Sequence, residues 1–102
     1  MFTQEEIAAI CAEFEEICRG SGAFWSMVRE DMQRYEASIE LDNDGFRIRV
    51  NGEIMFEMLY YEQSYHFFRW IHESNSMVRR SELQKAIEIY DRVVGKLLGV
   101  AA

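Results

Sequence analysis

Glu62, His66, Arg69 and Glu73 follow one another at intervals of four, three and four residues. On a helix, which turns about 100° per residue, those intervals gather the four side chains within about 60° of arc. A carboxylate four residues before an imidazole can orient it as a general base, and two carboxylates with an imidazole can begin a metal site. The set stops short of both. A metal centre takes three or four ligands, only Glu62, His66 and Glu73 qualify, and Arg69 in their midst repels a cation. No serine or cysteine is spaced to act as a nucleophile. The stripe reads first as a solvated helix face with spaced ion pairs, and second as the wall of a small-ligand or enzymatic pocket. Trp70 falls on its polar flank beside Arg69, a composition common in protein interfaces. His72 falls beside Tyr65 and Phe68 on the helical wheel and reads as a core-edge histidine.

Other chemistry-bearing motifs are weaker. Asp42-Asn43-Asp44-Gly45 resembles part of a calcium loop, but with Glu40 as its first position the twelfth is Asn51, where a bidentate glutamate is required. An ordinary turn uses the same residues. The aromatic run Tyr60, Tyr61, Tyr65, Phe67, Phe68 and Trp70 has only Arg69 as a cation, too few for a base-stacking groove. Cys11 and Cys18 lie seven apart on one helical segment, about 10 Å along its axis, too far for a disulfide. They read as small buried hydrophobes. No catalytic residue, metal ligand or cofactor site is assigned, and a protein that is not an enzyme is expected.

Charge is the most uneven property of the chain. Residues 1–62 hold fourteen of the eighteen acidic and five of the eleven basic side chains, a net of −9, against +2 for residues 63–102. Glu5, Glu6, Glu13, Glu15 and Glu16 crowd one segment. Phosphate contacts require Lys and Arg, so nonspecific nucleic-acid binding is not expected, and anionic membranes are disfavoured for the same reason. A basic protein surface is the natural counterpart. Lys85, Arg92 and Lys96 share a weakly basic stripe near the C-terminus. It reads as solvated, or as a dock for the acidic half of a second copy.

The elements carrying these residues follow from periodicity. One domain over residues 1–102 is expected from the length. Thr3-Gln4-Glu5-Glu6 is a capping box, and Ile7, Ile10, Cys11, Phe14, Ile17 and Cys18 form one stripe of a first helix, with Gly20 as its stop. A second helix is expected over 23–36 with Phe24, Trp25, Val28, Met32 and Tyr35 facing inward, forming a helical hairpin with the first. Period-two alternation then marks three strands. A four-residue loop at 42–45 sets Leu41 opposite Phe46, Ile39 opposite Ile48 and Glu40 opposite Arg47. At Asn51-Gly52 a two-residue turn would place Glu53 and Glu57 against the apolar set. A three-residue loop over 50–52 is therefore expected, pairing Ile48 with Ile54, Phe46 with Phe56 and Arg49 with Glu53. Helices are expected over about 62–74, and over 82–98 with Ser81 as cap. The result is an α+β fold: helical hairpin, three-stranded antiparallel meander and two helices, in the order ααβββαα, with a single sheet layer packed by helices.

The functional expectation is a small acidic protein-binding module that acts by contact: an adaptor, an inhibitor, a neutralising protein of the kind directed at toxins or encoded by phages, or a mimic of nucleic-acid charge. Its partner face would hold the five glutamates together with Glu62, His66, Arg69, Trp70 and Glu73. The N-terminal segment is acidic and polar, unlike a secretory signal, so a cytoplasmic location is expected. The alternatives are a structural homo-oligomer and a ligand-binding or enzymatic domain built on the Glu62/His66/Arg69/Glu73 stripe.

Overall fold

The computed structural model describes residues 2–18, 22–43, 45–71, 74–77 and 80–99. The capping box forms as the sequence dictates. Thr3 Oγ1 accepts from the Glu6 amide at 3.1 Å, and Glu6 Oε1 accepts from the Thr3 amide at 3.0 Å. Together they satisfy two amides that a helix start leaves open. The helix they begin, α1, spans Gln4–Ile17 and buries Ile7, Ile10, Cys11 and Phe14 along one stripe. The second helix, α2, spans Gly22–Arg34. Val28 is buried and Trp25 and Met32 half-buried, whereas Tyr35 lies beyond the helix end and is exposed. Phe24's side chain and Gly20 are outside the described residues.

Five strands follow: β1 (Ala37–Leu41), β2 (Gly45–Val50), β3 (Glu53–Tyr61), β4 (Ser64–Ile71) and the four-residue β5 (Ser74–Met77). They form an antiparallel meander in the order β1-β2-β3-β4-β5. A third helix, α3, spans Arg80–Leu97. The fold is thus α+β, but with three helices, and with two strands where a helix was expected.

The first hairpin has the expected register, with Ile39 opposite Ile48, Glu40 opposite Arg47 and Leu41 opposite Phe46. Gly45 closes it for a steric reason. A Cβ there would sit 1.8 Å from the Met58 carbonyl oxygen, and φ is +153°.

The second hairpin corrects the expected three-residue loop. Asn51 and Gly52 form a two-residue turn with φ of 53° and 77°, the left-handed pair that suits the twist of a hairpin. Val50 is opposite Glu53 and Arg49 opposite Ile54. The parity conflict is real, but a bulge resolves it inside the strand. Met55 is the extra residue, so Ile48 meets Phe56 and Phe46 meets Met58. One inserted residue reverses the facing of everything beyond it.

The expected helix over 62–74 is also corrected. Glu62 and Gln63 have φ of 52° and 63° and turn β3 back into β4, pairing Tyr61 with Ser64 and Tyr60 with Tyr65. Strand geometry suits this aromatic-rich segment, because cross-strand pairing puts rings in contact. Tyr60 and Tyr65 lie 4.8 Å apart, and Phe56 and Phe67 stack at 6.0 Å. At the far end, α3 begins at Arg80, so Ser81 lies inside its first turn instead of capping it.

The core forms on one face of the sheet. The Phe14 ring of α1 lies 4.7 Å from Phe67, 5.5 Å from Phe56 and 5.9 Å from Phe46. All four side chains are fully buried, each contributing about 1.5–3 kcal/mol of transfer free energy. From α3, Tyr90 reaches Phe46 at 5.5 Å and Tyr65 at 5.7 Å. Helices α1 and α3 therefore lie on the same side of the sheet and against each other. No described helix is long and apolar enough to cross a membrane.

Candidate functional site: the shared face of α1 and α3

The five glutamates of the first helix do not form one free acidic surface. Packing α1 beside α3 brings Glu13 to Arg92 and Glu6 to Lys96, both as ion pairs. Lys96 also lies 4.8 Å from the Phe2 ring centre, within the range of a cation–π contact. Two of the three residues in the basic stripe of the last helix, Arg92 and Lys96, thus meet acid from the same chain.

Glu15 turns inward. Its carboxylate accepts from Arg69 Nη1 at 2.8 Å, with side-chain exposures of 7% and 15%. Burial pushes the Glu15 carboxyl upward and the Arg69 charge and hydrogen bond pull it back, leaving it above its ordinary value. Its second oxygen, Oε2, is buried without a hydrogen-bond partner among the described residues. Of the five, Glu5 and Glu16 remain exposed, and neither has an ion pair among the described residues.

Between α1 and α3 runs a groove in two parts. One cleft, of about 490 Å³, has Ile10 and Val93 in its lining, with Phe2 and Ala9 beside them and the Glu6–Lys96 pair at its rim. The next, of about 590 Å³, is lined by Ile17 and Ile89 and by Glu13, Glu16, Lys85 and Glu88, with Arg92 shared between the two. Their character differs accordingly: one is mostly apolar, the other charged.

The stripe Glu62, His66, Arg69, Glu73 does not exist as a unit. Glu62 is exposed at the β3–β4 turn. His66 and Arg69 are three apart on β4, and a strand sends such residues to opposite faces. Arg69 points to α1 and Glu15. His66 stacks on Tyr61, ring centres 4.0 Å apart, with Ser64 Oγ 3.1 Å from its Nε2. This serine–histidine contact lacks the carboxylate that would orient the imidazole: none bonds to His66 among the described residues. Glu73 and His72 lie outside the described residues. Among the described residues, no three His, Cys, Asp or Glu side chains are grouped to hold a metal ion.

Trp70 is on the sheet face away from α1, where its Nε1 donates to Glu57 Oε1 at 3.2 Å. Arg47 donates to the other Glu57 oxygen at 2.9 Å and to Asp42 Oδ2 at 2.6 Å. Those bonds, to Asp42 and then Glu57, hold the Arg47 proton more tightly than usual. Glu57 is only 8% exposed and escaped the sequence reading. Its signal was a lone carboxylate in the apolar run Ile54–Leu59, opposite Arg47 once the bulge is placed. Of the partial calcium motif, Asp42 Oδ1 accepts from the Gly45 amide at 3.1 Å, and Asp44 lies outside the described residues. Cys11 and Cys18 form no disulfide, Cys11 being fully buried and Cys18 half-buried; burial pushes the Cys11 thiol up to about 12.

Compared with known proteins, the chain matches no family model, no curated sequence and no solved structure.

Proposed function

We propose that this chain is a small binding module that acts by contact with another protein of basic surface, as an adaptor, inhibitor or neutralising protein, and not by catalysis. The observation that carries this reading is the α1–α3 groove. Its apolar lining residues Ile10, Ile17, Ile89 and Val93 are bordered by Glu16 and Glu88, acids that no ion pair occupies among the described residues, and Glu5, exposed and likewise without an ion pair among them, lies on the same helix as Glu16. Apolar lining with a charged rim is the anatomy of a protein interface, and unneutralised carboxylates steer a basic partner toward it. The acids engaged in structure, Glu6, Glu13 and Glu15, belong to the fold in this reading and not to the partner face.

The test is a comparison at low ionic strength between the unaltered chain and the triple variant Glu5→Gln, Glu16→Gln, Glu88→Gln. A basic protein captured by the chain from its host, then purified, should bind the unaltered chain with strong salt dependence. The triple variant, folded by circular dichroism, should weaken that binding at least tenfold. Equal affinity for the two proteins would remove the reading.

A further inference from the structure

The free edge of β1 is built differently from the rest of the sheet. Gln4, from the first turn of α1, holds both backbone groups of Ala37: its Oε1 accepts from the Ala37 amide at 2.7 Å, and its Nε2 donates to the Ala37 carbonyl at 3.0 Å. A side-chain amide here does what a neighbouring strand would do. It also fixes the direction of the edge. In an antiparallel ladder the backbone groups of alternate residues point to opposite sides. The groups of Ala37 therefore point outward, and so do those of Ile39 and Leu41. The hairpin agrees, since Asp42, of opposite parity, donates inward to the Gly45 carbonyl at 2.9 Å. No described residue bonds to the outward groups of Ile39 or Leu41.

Beside this edge lies a third cleft, of about 560 Å³, whose apolar lining is Phe2, Ile7, Ile39 and Leu97, with exposed Glu36 at its border. A row of open backbone groups next to an apolar cleft is what strand addition requires. The backbone supplies affinity, and the cleft takes alternate side chains.

Charge selects the occupant. With Gln4 holding Ala37, a two-fold pairing with a second copy has only Ile39 and Leu41 to use. Pairing those places Glu40 directly opposite its counterpart in the second copy, and like charges so placed are destabilising. Among the described residues Glu40 has one bond, to Arg49 at 2.9 Å, and both side chains are a third or more exposed. That pair is weak, so the carboxylate can take a second cation. We propose that the β1 edge receives an extended segment of a partner protein with the pattern apolar–basic–apolar, the basic residue opposite Glu40 and the apolar ones opposite Ile39 and Leu41, on the cleft side. It rests on the binding-module reading for a basic partner but uses a different surface.

The probe is the capped peptide Ser-Thr-Val-Lys-Val-Thr-Ser, titrated into the isotope-labelled chain and followed by amide chemical shifts. Shifts should centre on residues 38–41 and the Gln4 side chain. N-methylating both valines removes the donors aimed at β1 and should weaken binding about tenfold or more. Replacing the peptide lysine by glutamate should weaken it about fivefold, and Glu40→Lys should reverse that preference. If Glu40→Lys does not fold, the two peptides against the unaltered chain test the same charge. No shifts at millimolar peptide, shifts centred elsewhere, or indifference to N-methylation would overturn the proposal. So would a dimer joined through β1 in sedimentation. None of these outcomes touches Glu5, Glu16 or Glu88, so failure here and failure of the α1–α3 reading are separate results.

Discussion

Replacing Glu15 by alanine should destabilise the fold far more than losing any other glutamate of α1. The pair it forms with Arg69 spans 54 residues of sequence, joins α1 to β4, and has side-chain exposures of 7% and 15%. At that burial little solvent remains to screen it. Removing one partner of a buried pair leaves the other charge uncompensated, at a cost of about 3–5 kcal/mol. At about 4 °C per kcal/mol for a domain of this length, the midpoint should fall by roughly 12–20 °C. The pair itself need not be a net gain, because its desolvation offsets much of its attraction. The double variant Glu15→Leu, Arg69→Met should therefore recover most of the loss. Urea unfolding of the unaltered chain, Glu15→Leu, Arg69→Met and the double variant closes a double-mutant cycle, with an expected coupling above about 2 kcal/mol. Glu15→Ala costing under about 1 kcal/mol, or a coupling near zero, would be the behaviour of an exposed pair and would refute the reasoning. The pH dependence gives a second reading. The folded carboxyl holds its proton above the ordinary value of 4.5, so between that ordinary value and the raised one the folded state binds more protons. Stability from this group then falls as pH rises through the window, and Glu15→Gln should lack that slope.

Three further predictions follow from single features. Cys11 is fully buried and its thiol is raised from 9.0 to about 12; the unfolded thiol ionises first, so stability should drop above pH 9 by about 4 kcal/mol across that interval. Urea melts of the chain and of Cys11→Val at pH 8 and 11 should show the loss reduced in the variant, with Tyr90, also raised by burial, supplying a residual slope. The double change Glu62→Asn, Gln63→Gly should stabilise by about 1 kcal/mol, because Asn-Gly relieves two left-handed non-glycine residues; in a helix the same glycine would destabilise, so the sign of the melting shift decides between turn and helix. Gly45→Ala should cost about 3 kcal/mol or more by thermal melting, from the collision with the Met58 carbonyl and the unfavourable φ together.

What could be read from the sequence was local. Thr3 and Glu6 are three apart, so the capping box needs no knowledge of the fold. The β1–β2 register follows from the alternation of Ile39, Leu41, Phe46 and Ile48 around a short polar loop. The β2–β3 hairpin was half legible. The clash of parity at Glu53 and Glu57 shows that one residue must be extra, but alternation cannot say whether it sits in the turn or at Met55. The fourth strand was hidden for two reasons. Phe67 and Phe68 are adjacent, which breaks the period of two and mimics a helical face. Glu62-Gln63 also carries none of the residues that usually mark a tight hairpin. The His66/Arg69 grouping inherited that error, since it required a helix. The Glu15–Arg69 and Glu13–Arg92 pairs join residues 54 and 79 apart, and no periodicity within one element reports such a contact.

The charge split that dominates the sequence has a different meaning once α1 and α3 are side by side. An acidic first half and a weakly basic second half suggest two surfaces awaiting partners. Instead the two helices spend part of that difference on each other, through Glu6–Lys96 and Glu13–Arg92, while Glu15 spends its charge on Arg69 inside the core. Exposed pairs of the first kind contribute little to stability, but they set which acids stay open. Glu5, Glu16 and Glu88 remain unpaired among the described residues on the helical face, and on the sheet edge Glu40 has only an exposed partner in Arg49. A variant series aimed at all five glutamates of α1 would therefore confound binding with folding, because the loss of Glu15 alone is expected to cost about 3–5 kcal/mol of stability. Separating the open acids from the engaged ones makes the partner question answerable by mutation.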